Sequence, residues 1–97
     1  MALEIVWTKR AEVGYAKIIH YLETHFTEKE IQKFVLTSHE FLELIKQYPE
    51  MLESSRRQKN VRRGPINKYT ILTYRIKPRK KQIELINIRS SRQKPLK

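Results

Sequence analysis

The spacing of hydrophobic positions changes twice along the chain, first from two residues to three or four and later back to two. Alternating apolar residues predict a short first strand, and they are Leu3, Ile5 and Trp7. Thr8 follows with a hydroxyl suited to capping a helix. Apolar residues at helical spacing then predict an amphipathic helix from about Lys9 to Thr24. Gly14 lies inside this helix at a cost of about 1 kcal/mol relative to alanine, which indicates close packing there.

A second helix is indicated by a stronger start signal. Thr27 and Glu30 form a capping box, T-E-K-E, in which the hydroxyl and the carboxylate each accept a hydrogen bond from a backbone N–H of the first turn. An apolar stripe follows, and Pro49 cannot continue a helix, so we predict an end near Tyr48. Because only two or three residues separate the two helices, we expect an antiparallel helix hairpin.

Strand-like spacing returns in the second half of the chain. Residues Arg56 to Arg63 are too polar for a buried strand, and Gly64 to Asn67 has the composition of a turn. Lys68 to Lys77 is the clearest strand, because its successive residues alternate in a way that suits the two opposite faces of a sheet. A turn from Pro78 to Lys81 then leads to a last strand from Gln82 to Arg89.

This order of elements predicts one α+β domain over residues 1–97. We expect an N-terminal strand, an antiparallel helix hairpin packed on one face of an antiparallel sheet, and a C-terminal three-stranded meander that completes the sheet. A chain of this length can bury one modest core. The second face of the sheet is then open for binding.

Composition narrows the class of protein. The chain has no cysteine, which excludes disulfides and thiolate metal sites. Neither a secretory signal nor a window apolar enough to span a bilayer is found, so we expect a soluble cytoplasmic protein with no membrane partner. The histidines, His20, His25 and His39, have no carboxylate or cysteine at ligand spacing and are expected at the surface. We therefore expect no metal and no cofactor.

Charge divides the chain into two unequal parts. From Arg56 onward the sequence has fifteen Lys and Arg and a single acid, Glu84, whereas the preceding residues have six Lys and Arg and nine acids. Such a division favours a polyanion or an acidic partner for the second half. The alternative is a Lys/Arg surface that serves only solubility.

Two stretches resemble a known family. VRRGPINKYTILTYRI begins at Val61 and IELINIRSSRQKP begins at Ile83, and in this order after a helix hairpin they resemble the RelE/ParE toxins of bacterial type II toxin–antitoxin systems. The resemblance implies a small plasmid-stabilisation type toxin that is held inactive by a cognate antitoxin, whose acidic and apolar segments wrap the helices and the sheet. RelE-like members cut messenger RNA on the ribosome, and ParE-like members block DNA gyrase.

The resemblance and the chemistry together suggest site residues. Metal-independent RNA cleavage needs stabilisation of charge on the phosphate, which guanidinium groups supply well. Arg62 and Arg92 are the best candidates, and we expect strand pairing to bring them together; Lys59 is a candidate for moving a proton. Further candidates for binding a nucleic acid or another target are Arg57, Arg63, Arg75, Arg89 and Tyr74.

The acid–base groups favour binding over cleavage. Active ribonucleases of the family usually carry a tyrosine, or a histidine and a tyrosine, in the C-terminal stretch, whereas no such residue follows Tyr74 here. Tyr74 itself lies in an alternating strand, which favours core packing. We therefore favour a ParE-like gyrase inhibitor or a degenerate member over an mRNA endonuclease. A different class also fits, a basic nucleic-acid-binding module without catalysis, for which only Tyr69 and Tyr74 could stack bases.

Overall fold

A computed structural model describes residues 3–67 and 70–91, in which two helices pack against a five-stranded sheet. The elements are β1 (Glu4–Trp7), α1 (Lys9–His25), α2 (Glu28–Gln47), β2 (Glu53–Ser54), β3 (Val61–Asn67), β4 (Thr70–Lys77) and β5 (Gln82–Ser90). The strand order is β1-β5-β4-β3-β2. The predicted α+β class and the succession of β3, β4 and β5 as a meander are confirmed.

The sheet is mixed because β1 lies parallel to β5, while the other described pairs are antiparallel. This departs from the wholly antiparallel sheet that we expected. Parallel strands need a crossover connection, and the chain between β1 and the meander supplies one through its two helices. Within the described residues, the first strand thus lies beside the last one.

Both helices begin at the threonines that the sequence indicates. The Thr8 hydroxyl accepts a hydrogen bond from the Ala11 amide at 3.1 Å and caps α1. At α2 the Thr27 hydroxyl accepts from the Glu30 amide at 3.2 Å, and the Glu30 carboxylate accepts from the Thr27 amide at 3.1 Å. The capping box is therefore confirmed, and Tyr48 caps the other end of α2.

The core lies between the helices and one face of the sheet. Its buried members are Ala11, Ile18, Ile45, Ile66, Leu72, Tyr74, Ile83, Leu85 and Ile88. Three aromatic rings join the layers: Trp7 meets Tyr15 edge-on at 5.6 Å between ring centroids, and Tyr15 stacks on Phe34 at 5.9 Å. Gly14 faces the backbone of Ile88, where a Cβ atom would clash, so the close packing expected at this glycine is confirmed.

Gly64 to Asn67 does not form the predicted turn. These residues belong to β3, where Gly64 pairs with Leu72 and Pro65 pairs with Ile71. A proline is tolerated at this point because β2 covers β3 only as far as Arg63, so beyond it β3 is an edge strand with a bulge between Pro65 and Asn67. The composition of a turn was therefore misleading here.

Candidate target-binding surface

The face of the sheet away from the helices carries basic side chains. Residues alternate between faces along a strand, and directly opposed residues share a face. In β4, Leu72 and Tyr74 belong to the helix-side core, so Arg75 lies on the open face. It is opposed there by Val61 and Glu84.

Three more cations share this face with Arg75. Arg63 opposes Thr73, and Arg89 opposes Ile71. Thr73 and Ile71 alternate with the core residues of β4, so Arg63 and Arg89 lie on the open face. The set of Arg63, Arg75, Lys77 and Arg89 is called the cationic face below. Its acidic neighbours by strand position are Glu4, Glu53 and Glu84. The Lys77 Nζ atom lies 3.3 Å from a Glu84 carboxylate oxygen, which neutralises one of the four cations.

A β-bulge in β5 sets the direction of Arg89. Thr73 opposes Asn87 whereas the next residue of β4, Tyr74, opposes Leu85, so Ile86 is an extra residue. A regular strand starting from buried Leu85 would turn Arg89 toward the helices. The bulge shifts the alternation, and Arg89 joins the cationic face.

Arg62 lies on the opposite side of the sheet from the cationic face. It opposes Tyr74, which is fully buried, and its Nη1 atom donates hydrogen bonds to the backbone oxygens of Leu52 at 2.7 Å and Glu50 at 3.0 Å. A second nitrogen lies 3.8 Å from the Glu50 carboxylate. The guanidinium of this predicted catalytic residue thus binds the segment that follows α2, and the sheet separates it from Arg63, Arg75 and Arg89.

Tyr74 is a core residue, as the alternation of β4 suggests, and no part of its side chain is exposed. Its hydroxyl donates a hydrogen bond to the backbone oxygen of Pro49. Burial raises the pKa of Tyr74 above its ordinary value, and the nearby charge of Arg62 opposes that rise. The Tyr74 side chain therefore offers no exposed surface to a target in this structure, and its assignment as a binding residue stays a prediction.

Two other candidates, Arg57 and Lys59, lie in the exposed loop between β2 and β3. The Ser55 hydroxyl accepts hydrogen bonds from the amides of Arg57 and Gln58, both at 3.2 Å, which holds the loop in a turn. Lys59 therefore lies at one end of the sheet, whereas Arg89 lies near the other end of β5. Arg92 and Tyr69 are outside the described residues, so the expected approach of Arg62 to Arg92 stays a prediction.

The helices leave apolar surface exposed beside the core. A groove of about 150 Å³ opens between α2 and the sheet, and its walls include Trp7, Tyr15, Val35, Leu42 and Ile66. Leu36, on the outer surface of α2, is 59 % exposed. Within residues 3–67 and 70–91 no group of three side chains could hold a metal ion, and no helix of that part is long and apolar enough to cross a membrane.

Comparison with solved structures defines the class of this fold. The chain resembles the crystal structure of the RelBE2 toxin–antitoxin complex of Mycobacterium tuberculosis, with a TM-score of 0.61, 11 % identity, and coverage of 93 % of this chain and 99 % of that one. It also resembles the solution structure of a conserved hypothetical protein of Helicobacter pylori, with a TM-score of 0.55, 19 % identity, and coverage of 92 % and 94 %. The fold is therefore that of the RelE/ParE toxins.

Comparison with protein families is more specific. The model of the ParE toxin of the type II toxin–antitoxin system parDE matches residues 5–95. The chain belongs to this toxin family. A search of curated proteins gave no match.

Proposed function

We propose that this chain is the toxin of a type II pair that arrests growth in the cytoplasm by binding its target rather than cleaving it, in the manner of ParE-like inhibition of DNA gyrase. The observation that carries the proposal is the composition of the cationic face. Its described residues offer guanidinium and ammonium donors, but no phenol or imidazole that could move a proton near neutral pH. Such a surface can hold an anionic or acidic target, and the Glu84 carboxylate on it is bound to Lys77.

Tyr74 adds support from the other face of the sheet. Its hydroxyl is bound to the Pro49 carbonyl, and its raised pKa makes the phenol a poorer proton donor. Cleavage of RNA at the ribosome would therefore have to use the cations and carboxylates of the open face, without a phenol or an imidazole. This is the alternative that the experiment below separates from target binding.

A cognate antitoxin completes the proposed function. The RelBE2 structure is a toxin–antitoxin complex, and two surfaces of this chain suit such a partner. The groove beside α2 would accept apolar side chains, and the cationic face would accept an acidic segment. We expect a copurified complex whose affinity falls with salt, since exposed charges are screened.

Induced expression without a partner tests the proposal directly. Growth should stop, and broken DNA should accumulate while messenger RNA stays intact. Cleaved messenger RNA without DNA breaks would overturn the gyrase proposal in favour of the endonuclease. Normal growth of cells that contain the folded protein would overturn the toxin proposal itself.

The variant pair Arg75→Gln and Arg89→Gln locates the active surface. Together these substitutions should relieve growth arrest at equal protein level, because both remove cations from the open face without touching the core. The matched control is Lys29→Gln with Lys33→Gln, which removes the same charge from exposed positions of α2. Equal relief by both pairs would indicate that net charge, and not the cationic face, determines activity.

A further inference from the structure

Two basic loops meet at the end of the sheet where β4 ends at Lys77 and β3 begins at Val61. One is residues 56–60, which precede β3, and the other is residues 78–81, which join β4 to β5. Together they have six Lys and Arg and no acid, and all nine residues are exposed. The six cations are Arg56, Arg57, Lys59, Arg79, Lys80 and Lys81. We call these two loops the basic end.

Strand pairing brings the two loops together although about twenty residues separate them. β3 and β4 are neighbours, and the amide of Ile76 donates a hydrogen bond to the Asn60 carbonyl at 2.8 Å. Neighbouring strands lie about 4.8 Å apart, so the cations project from three adjacent strand ends over a width of about 10 Å. Residues 78–81 were predicted only as a turn, although their run of positive charge is visible in the sequence.

Both loops are held by backbone contacts. Asn60 and Lys81 adopt the left-handed region, with φ of 63° and 54°. The Lys81 amide donates to the Pro78 carbonyl at 3.2 Å, and the Lys81 carbonyl accepts from the Glu4 amide at 3.0 Å, which ties the turn to β1. The Ser55 hydroxyl holds the other loop through the amides of Arg57 and Gln58. The cations are thus presented from fixed backbones.

The six cations are not neutralised within the described part of the protein. The ion pairs found there join Lys46 to Glu43, Arg62 to Glu50, and Lys77 to Glu84, and none of them includes a residue of the basic end. Keeping so many like charges close together without counter-charges is unfavourable in isolation. An anionic partner would remove this repulsion.

We propose that the basic end binds the phosphate backbone of a nucleic-acid double helix, independently of base sequence. A duplex places one negative charge about every 1.7 Å along its axis, so a patch about 10 Å wide can meet several phosphates. A protein partner fits less well, because interface cores are apolar and depleted in lysine, and these loops have no large apolar side chain. A single strand is disfavoured because the loops contain no aromatic residue for stacking bases. This binding does not depend on the growth arrest proposed above.

The test measures binding of the full chain to duplexes of random sequence, as DNA and as RNA of equal length, by fluorescence anisotropy over a range of salt. Wild-type protein should bind at least one duplex, with log K falling linearly against log salt. The variant with Arg57, Lys59, Arg79 and Lys80 all changed to Gln should bind about tenfold more weakly or worse at low salt, with a slope smaller by about 3 to 4. Lys81 is kept in this variant because of its backbone conformation.

The matched control removes the same charge from the helices, through Gln at the exposed positions Arg10, Lys17, Lys29 and Lys33. Its affinity should stay within about threefold of the wild type, since only distant charges are lost. An equal loss in both variants would overturn the proposal, because net charge would then explain binding. Equally tight binding of polyglutamate would also overturn it and indicate an acidic protein partner. Circular dichroism of each variant shows that a loss of binding is not a loss of fold.

Discussion

Gly14 of α1 lies directly against the backbone carbonyl of Ile88 in β5, with no room for a side chain between them. We predict that Gly14→Ala destabilises the protein by about 2 kcal/mol or more, because the helix must move off the sheet, and this outweighs the roughly 1 kcal/mol gain in helix propensity. Urea unfolding measures the change. Gly64→Ala is the control: its new methyl group would meet the end of the flexible Leu52 side chain at 3.0 Å, so the loss should be smaller.

The hydrogen bonds from Arg62 to the segment after α2 predict that replacing Arg62 lowers the free energy of unfolding. Arg62→Ala removes two hydrogen bonds from a cation to backbone oxygens, and the partly buried oxygen of Leu52 loses its partner. We expect a cost of about 1 to 3 kcal/mol. Arg63→Ala, one residue away on the open face, should cost less than about 0.5 kcal/mol. Equal effects of the two substitutions on thermal unfolding would show that the Arg62 contacts contribute no stability.

Tyr74 predicts a dependence of stability on alkaline pH. Its pKa is raised in the folded state above the ordinary value of 10.0, so the unfolded chain releases its proton first. The stabilisation is therefore complete below pH 10 and declines as the pH rises from there through the folded pKa. Urea unfolding between pH 8 and 11 should show a smaller decline for Tyr74→Phe than for the wild type. Tyr48→Phe, at a residue that is 61 % exposed, should leave the decline unchanged.

Replacing the N-cap threonine by alanine should lower the free energy of unfolding by different amounts in the two helices. The Thr8 hydroxyl accepts from the Ala11 amide and also donates to the Leu85 carbonyl at 2.7 Å, so it joins α1 to β5. The Thr27 hydroxyl lies in an exposed capping box. We expect Thr27→Ala to cost about 1 kcal/mol and Thr8→Ala about 1 kcal/mol more. Chemical denaturation of both variants decides the order, and a smaller cost at Thr8 would contradict it.

Local signals in the sequence were enough to predict the helices. Thr8, Thr27 and Pro49 act on neighbouring backbone groups, and the helix ends follow from them within a residue or two. The strand from about residue 70 was equally clear, because its alternation separates Leu72 and Tyr74 from Ile71 and Thr73. These features depend on contacts close in sequence.

The positions of the arginines depended on information that is not local. The sequence treats Arg62 and Arg63 alike, but pairing with β4 places one on the core side and the other on the open face. Gly64 and Pro65 have the composition of a turn, so the sequence did not show that β3 continues through them. Arg89 reaches the open face only through the bulge at Ile86, which no spacing rule indicates. A site composed of strand residues therefore required the register of the sheet.

The parallel pairing of β1 with β5 has a consequence for synthesis on the ribosome. Glu4 and its hydrogen-bonded neighbour Gln82 are 78 positions apart, and β5 is the described strand that pairs with β1. Strand β1 must therefore wait, without this partner in the sheet, until β5 has been translated. A nascent chain cannot assemble its sheet early, so the cationic face forms only at a late stage of translation.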